Sequence, residues 1–505
     1  MTQTSKFNRR QFLGLTGSAV ALTVVPRHVL GGINYVAPSD RITMGLIGCG
    51  TQQLRELTGL ITDQRIKIVS VCDPVKHPEG YLDWSVNGVK NSLRRLLENN
   101  SWGENIKGVP GGRDVGKDVV DKYYALKEGP QRGNGCTAYS DFNEMLDKEP
   151  DMTAVKIITP DHLHAIQAIN SLKKGKHVIM HKPIANVVNE ARRTVDIAKN
   201  TSLTTHLLAW SDRSTYALVK KWIDEGAIGT LREVHNWSYR PVWPQWTSNP
   251  QERLPIPEGF DWDLWLGPVP DRPYHPDYTH TNYRGWYDFG AGSVADMGIY
   301  SLWQLFNTLG ITTPPVSIEA HGTTTSIVNE NNVCQGHRNT VAFPYSSIFR
   351  WKFPSLGSSP ELDLFWYDGG MKPHTPPEVE ADNKDLPTEG MMFVGDRGKI
   401  LGGFRCENPR IIPEKMMVAY TGATDPPQDV TIAGTDVWID AVLNNRQSPG
   451  NFQSVSVCNE TALLAAVALR AGRKIIYDPV NMKVVNVPEA DRFLYRQEYR
   501  KGWEI

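Results

Sequence analysis

The sequence predicts an α/β protein whose first half carries a parallel sheet covered on both faces. Three observations lead there. From Arg41 onward, short apolar runs alternate with helical stretches; the first run, "RITMGLIGCG", ends in glycines; and the second, "RIKIVSVCDP", ends in an acid, Asp73. Runs so short and so evenly apolar suit strands buried between two helical layers. A chain of 505 residues has room for two domains with separate cores.

The first 40 residues stand apart. "NRRQFLGLTGSAVALTVV" places Arg9 and Arg10 before Phe12, Leu13 and a modest apolar stretch. That is the pattern of a twin-arginine export signal, whose route carries folded proteins. Residues 1–40 are therefore read as signal and linker, and the protein as periplasmic, although no clear A-x-A cleavage site follows. No later run reads as long and apolar enough to cross a bilayer.

In the first strand and its turn, "GLIGCGTQQ", Gly48 and Gly50 match the first two glycines of a dinucleotide fingerprint. The first allows a tight turn and the second a close backbone approach to a pyrophosphate at a helix N-terminus. Gln53 stands where a third small residue is usual. Asp73, after the second strand, is placed to bond ribose hydroxyls and repel a 2′-phosphate, which favours NAD over NADP; Lys76 nearby softens that preference. A long Gly- and Asn-rich insertion follows, at about residues 76–118, suited to a lid or an oligomer contact.

Further strands are expected in "TAVKIITP", "KHVIMHKP" and "LTTHLLAW". After the first of these, Thr159 can cap a helix with Pro160 at its first position. Leu163, Ile166, Ile169 and Leu172 fall on one face, and Gly175 closes the helix. A second helix is expected from Asn186 to Asn200, capped by Asn186. These elements make residues 41–212 one nucleotide-binding domain and leave residues 213–505 for a second. There, "DFGAGSVADMGIYSLWQLFNTLG" reads as a helix ending at Gly310, with Asp296 and Tyr300 four apart on one face.

Composition excludes several classes. Hydrophobic residues make up 40% and charged residues 22%, with a net charge of −1, so no basic nucleic-acid surface is expected. The six cysteines are scattered without metal-ligand spacing, and a disulfide scaffold is not expected. His162 and His164 form an H-x-H pair that lacks a third ligand at meaningful spacing, so no metal site is assigned. Residues 237–286 hold six tryptophans (237, 243, 246, 262, 265 and 286) among polar side chains. They suit the C–H faces of a sugar, or equally the pinning of Pro-rich loops.

Together, "GLIGCG", "VCDP", "ITPDHLHA", "HKPIA", "GAIGTLREV", "DWDLWLGP" and "GAGSVADMGIY" resemble the Gfo/Idh/MocA oxidoreductases, and "GMMFVGDRGKI" and "RAGRKIIYDP" resemble its exported branch. The resemblance implies a Rossmann domain followed by an α+β domain on an open, mostly antiparallel sheet that commonly mediates homo-oligomers. It implies NAD or NADP as cofactor, with "TPDHLHA" (Thr159, Pro160, His164) along the nicotinamide side. "HKP" stands for the family's Glu-Lys-Pro, which makes Lys182 the catalytic lysine and replaces the glutamate by His181. A lysine beside a cationic nicotinamide has a lowered pKa and can accept a hydroxyl proton. Asp296 is carried over as its orienting acid. Tyr300 fills a position usually held by histidine, as in the glucose–fructose oxidoreductases, and joins the proton relay and substrate contacts. Arg213, in "WSDRS", is carried over as a substrate-side arginine.

The function implied is hydride transfer between a sugar or glycoside hydroxyl and the nicotinamide. Alternatives are an NAD-retaining glycosidase or lyase that works by oxidation and elimination, and a non-catalytic nucleotide-binding protein. An exported dehydrogenase meets little free nucleotide, so the cofactor is expected to be tightly bound.

Overall fold

The computed structural model describes residues 41–505 except 78–79, 130–134, 356–359 and 382. The expected export signal lies outside the described residues.

The first sheet has six parallel strands: β1 (Ile42–Ile47), β2 (Ile66–Cys72), β3 (Thr137–Tyr139), β4 (Ala154–Ile157), β5 (His177–Met180) and β6 (Thr205–Leu207). Their spatial order is β3-β2-β1-β4-β5-β6. Chain direction across the sheet reverses between β1 and β4, where α/β sheets bind ligands at the carboxyl ends of their strands. β1 is buried on both faces along almost its whole length, as its uniform apolarity requires.

Several local expectations are corrected. The helix after β4 runs Asp161–Lys173 with Pro160 at the N-cap position. Thr159 does not cap it; its hydroxyl donates to Gln167 Oε1 (2.7 Å). Nor does Asn186 cap the next helix, which starts at Val188. Its amide instead donates to Asp288 O and accepts from Arg496, so the side chain is spent tying two segments together. Within the expected insertion lies a helix, Gly88–Leu96, but Arg113–Glu128 already belongs to the layer covering the sheet. Its Val119, Val120 and Tyr124 pack with Ile68 and Val71 of β2.

The next strand, β7 (Ser211–Arg213), pairs outside this sheet with β17 (Thr431–Ala433). The second large sheet is built from β8 (Leu231–Trp237), β9 (Ser317–Gly322), β12 (Ser347–Phe353), β13 (Leu362–Tyr367), β14 (Gly390–Gly395), β15 (Lys399–Gly402), β16 (Arg410–Ile412), β18 (Ile475–Asp478) and β19 (Lys483–Val484), in the order β16-β15-β14-β8-β13-β12-β9-β18-β19. A separate hairpin joins β10 (Thr325–Val328) to β11 (Cys334–His337). In the large sheet only the β8–β13 pair is parallel.

Strict alternation along β13, with Leu362, Leu364 and Trp366 buried, turns one face of this sheet to the core. Helices Ile299–Leu309 and Phe452–Ala471 contribute to the same core. The latter is long and apolar enough to span a bilayer, contrary to the expectation that no such run follows the N-terminus, but it is mostly buried within the fold. The two halves interlock. Trp438, Ile439 and Val442, from helix Thr435–Leu443, pack into the core of the first sheet.

Candidate active site

A deep cleft opens at the carboxyl ends of β1 and β4 and runs toward the second sheet. At one end lies the glycine turn. Gly48 has φ +86°, and a Cβ there would lie 2.1 Å from Ile158 O, so only glycine fits. Gly50 faces open space, with Tyr81 Cε2 the nearest atom to a Cβ at 3.8 Å, and it starts helix Thr51–Leu60. That bare backbone at a helix N-terminus fits a pyrophosphate. Gln53 lines the cleft just beyond, buried, with both amide atoms lacking a hydrogen-bond partner.

Asp73 closes the turn: Oδ2 accepts from Cys49 N (2.7 Å) and Oδ1 from Val75 N (2.9 Å). Burial pushes its carboxyl up to about 6, against those two hydrogen bonds and Arg113. Thr159, Pro160 and His164 line the middle of the cleft, while Tyr81, Leu82 and Trp84 of the insertion line it from outside. The His164 ring lies between Pro183 O (2.6 Å) and Thr159 O (2.9 Å). Burial lowers its pKa to about 4, so the neutral ring donates to one carbonyl at a time. His162 Nε2 contacts Trp265 O, and among the described residues no cluster of His, Cys, Asp or Glu is arranged to hold a metal.

At the far end three sequence candidates converge. Lys182, just past β5, is buried and hydrogen-bonds through Nζ to Asp296 Oδ1. The same Nζ lies 5.5 Å from the Tyr300 ring centroid. Asp296 sits in a single π-helical turn, Val294–Gly298, that precedes helix Ile299–Leu309. Such turns often mark functional positions. Burial and Arg284 push the Lys182 pKa below its ordinary value, and Asp296 only partly offsets them. Burial works against an ionised Asp296, yet Lys182 and Arg284 outweigh it and hold the carboxyl well below its usual range. Burial, then Asp296, push the Tyr300 phenol well above 10. The result is a neutral phenol, an ionised acid and a lysine poised toward its base form.

His181 faces a second group. Its Nε2 is 3.4 Å from Tyr300 Oη and 3.6 Å from Glu56 Oε1. Glu56 also pairs with Lys156 (2.7 Å), a β4 lysine with no solvent exposure. A carboxylate thus faces His181 from helix Thr51–Leu60. Burial, followed by Lys182, lowers the His181 pKa to about 3, so its ring is neutral.

Arg213 is not part of this cleft. Its guanidinium pairs with Asp429 (2.6 Å) and Glu407 (3.6 Å), which fixes β7 against a distant loop. Three other arginines line the reactive end: Arg240, Arg284 and Arg405. Arg284 Nε lies 3.3 Å from Asp296 Oδ1. Asp161, also in the cleft, accepts from Tyr283 Oη (3.3 Å) and Ala291 N (3.1 Å), and burial raises it to about 6.

Of the two readings of the tryptophans, packing holds for most of them. Trp262, Trp265 and Trp286 belong to a separate buried aromatic cluster, Trp246 stacks on Trp286, and Trp237 is wholly buried. Of the six only Trp265 reaches the cleft, where Trp84 and Trp503 join it. Sequence reasoning missed Glu56, Asp161, Arg240, Arg284 and Arg405. Glu56 alone left a signal, at helical spacing from Gln53 on the helix the glycines open.

Comparison with known families now bears on this geometry. The Gfo/Idh/MocA family model described as an oxidoreductase NAD-binding Rossmann fold matches residues 119–208, and the model for that family's C-terminal alpha/beta domain matches residues 214–342. The chain thus matches both domains of the Gfo/Idh/MocA oxidoreductases, in their order, over less than half of its length. Lys182, Asp296 and Tyr300 lie inside the matched regions of the two Gfo/Idh/MocA domains, while Gly48, Gly50 and Asp73 lie before them.

Among curated relatives, a levoglucosan dehydrogenase of Pseudarthrobacter phenanthrenivorans is 38% identical over 118 residues, covering 23% of this chain and 28% of that protein. A dTDP-3,4-didehydro-2,6-dideoxy-alpha-D-glucose 3-reductase of Streptomyces violaceoruber is 32% identical over 99 residues, covering 19% of this chain and 29% of that protein. The alignments thus span under a third of either relative. Among solved structures, the WlbA dehydrogenase from Bordetella pertussis aligns with a TM-score of 0.49 at 15% identity, over 87% of this chain and 99% of that chain; no argument rests on it.

Proposed function

We propose that this protein moves a hydride between a hydroxyl-bearing carbon of a sugar or glycoside and NAD, with Lys182 as proton acceptor. The observation that carries the reading is the buried Lys182 Nζ, held by Asp296 at one end of a cleft whose other end is the Gly48–Gly50 turn. The residues present fit a dinucleotide: the bare Gly50 backbone for the pyrophosphate, Asp73 for the ribose, and Thr159, Pro160 and His164 along the ring. When bound, the nicotinamide supplies the hydride acceptor or donor.

The chain's own residues manage the proton. Lys182, with a depressed pKa, takes it from the substrate hydroxyl; Asp296 fixes the lysine's direction and stabilises its charged form. Tyr300 hydrogen-bonds the reacting oxygen as a neutral donor and connects it to His181. The insertion residues Tyr81, Leu82 and Trp84 exclude water from the cleft and slow release of the nucleotide.

NAD is favoured over NADP because Asp73 occupies the ribose position, and tight retention accords with twin-arginine export to the periplasm as a loaded protein. The outward face of the large sheet, where His235, Phe365 and Tyr367 stack, suits contact with a second copy. Tyr300 in place of histidine favours the glucose–fructose oxidoreductase type of site. Protein purified without added nucleotide is expected to release close to one NAD per chain, identified by mass and absorbance, and to change its nicotinamide absorbance with a sugar or glycoside. Nucleotide-free protein that binds NAD only weakly would refute the retained cofactor, and loaded protein inert toward every sugar would refute the hydride transfer.

A further inference from the structure

The reactive end of the cleft carries more positive charge than a neutral sugar needs. Lys182 and Arg284 share Asp296. Arg240 and Arg405 line the same end, and among the described residues neither guanidinium makes an ion pair. Arg240 Nε is buried without a hydrogen-bond partner, and its guanidinium lies 5.7 Å from the Trp84 ring centroid and 5.4 Å from that of Tyr239. The Arg405 guanidinium lies 4.4 Å from the centroid of Tyr300. Glu407, whose charge acts on Arg405, accepts from the Arg405 backbone N (2.7 Å) and lies 3.6 Å from Arg213, which also holds Asp429.

Both arginines act on the reacting groups. Arg240 contributes to the field on Asp296, and Arg405 to that on Tyr300. Of the carboxyls lining the reactive end, Asp296 is shared by Lys182 and Arg284, and Asp161 is taken up by Tyr283 and Ala291, which leaves neither paired with Arg240 or Arg405. Half-buried guanidinium groups that make no ion pair carry a desolvation cost that an incoming anion relieves. Their planar forks match the two oxygens of an oxyanion.

We propose that Arg240 and Arg405 form an anion subsite, so that the substrate is a sugar bearing a carboxylate or an ester oxyanion. This rests on the oxidoreductase reading for the fate of the hydroxyl, but the recognition itself is a matter of binding. The oxyanion docks between Arg240 and Arg405, and the hydroxyl to be oxidised is left facing Lys182 and Tyr300.

The test is calorimetric binding to NAD-loaded protein. The probes are methyl glucosides, galactosides and mannosides, each compared with its methyl uronide and its 6-phosphate. In at least one series an anionic member should bind at least about tenfold tighter than its neutral counterpart. Whether uronide or phosphate wins identifies the oxyanion. Arg240→Gln or Arg405→Gln should remove that preference while NAD still binds. The proposal is overturned if no anionic member outbinds its neutral partner in any series, or if the preference survives in both variants. The wild-type comparison decides even if a variant fails to fold. A binding preference without nicotinamide reduction would refute the hydride-transfer reading and leave the anion subsite standing. Reduction by neutral sugars without any preference would do the reverse.

Discussion

Replacing Glu56 by Gln should destabilise the protein in a pH-dependent way, because it strips the counter-charge from Lys156. That lysine has no solvent exposure in β4, and its Nζ lies 2.7 Å from Glu56 Oε2. Leaving one member of a buried pair uncompensated costs about 3–5 kcal/mol. Here the Glu56 side chain is 22% exposed, and glutamine keeps an amide oxygen for Lys156, so about 2–3 kcal/mol is expected. At about 1 °C per kcal/mol for a chain of 505 residues, Tm should fall by about 2–3 °C.

The sign of the pH dependence follows from the direction of the Glu56 shift. Burial alone would raise its pKa, but Lys156, by its charge and its hydrogen bond, outweighs burial and lowers it from 4.5. A carboxylate with a depressed folded pKa contributes stability above its unfolded pKa and loses it as pH falls through the folded one. The gap between wild type and Glu56→Gln should therefore be full at neutral pH and narrow in acid below 4.5. Urea unfolding across that range measures it. A variant within about 0.5 kcal/mol of wild type at neutral pH, or a gap that widens in acid, would refute the reasoning.

Three further outcomes follow from the site. Gly48→Ala forces a Cβ to within 2.1 Å of Ile158 O at a positive φ, so NAD affinity should fall by about a hundredfold or more, read by calorimetry. Asp73→Asn loses the negative charge and sets an amide NH2 against one of the two backbone donors that hold the turn. NAD should bind about tenfold more weakly while the ratio of NADP to NAD affinity rises; an unchanged ratio would move this acid out of the ribose site. Asp296→Asn removes the charge that raises the Lys182 pKa. The acid limb of the kcat profile should shift to lower pH while the maximal rate drops, and a limb that stays put or moves up would contradict the pairing.

What the sequence made legible was whatever local chemistry encodes. The alternating apolar runs forecast β1, β2, β4, β5 and β6, and the glycines and "HKP" motif pointed to both ends of one cleft. β3, Thr137–Tyr139, escaped notice because this edge strand is partly exposed and no apolar run marks it. Helix starts moved where a capping side chain had a stronger tie elsewhere, as with Asn186 to Arg496 and Asp288. Arg240 and Arg405 come from loops and Arg284 from a short 3-10 helix, His280–Gly285, and only the tertiary fold brings them to one end of the cleft. Arg213 was expected at the site because its neighbours fit a family motif, but two acids hold it outside. The tryptophans suited a sugar platform or loop packing equally and are mostly core, since composition does not tell which face of a loop a side chain takes.

The most direct test of the account is single-turnover reduction of bound NAD by a verified sugar substrate, comparing wild type with Lys182→Met. Arg284 remains beside Asp296 in the variant, so that carboxylate keeps a cation and the nucleotide end of the cleft is untouched. The account predicts unchanged NAD occupancy and a reduction rate lower by about 10²–10⁴-fold, the range for loss of a positioned proton acceptor. A Lys182→Met protein that reduces its NAD within about tenfold of the wild-type rate would contradict it.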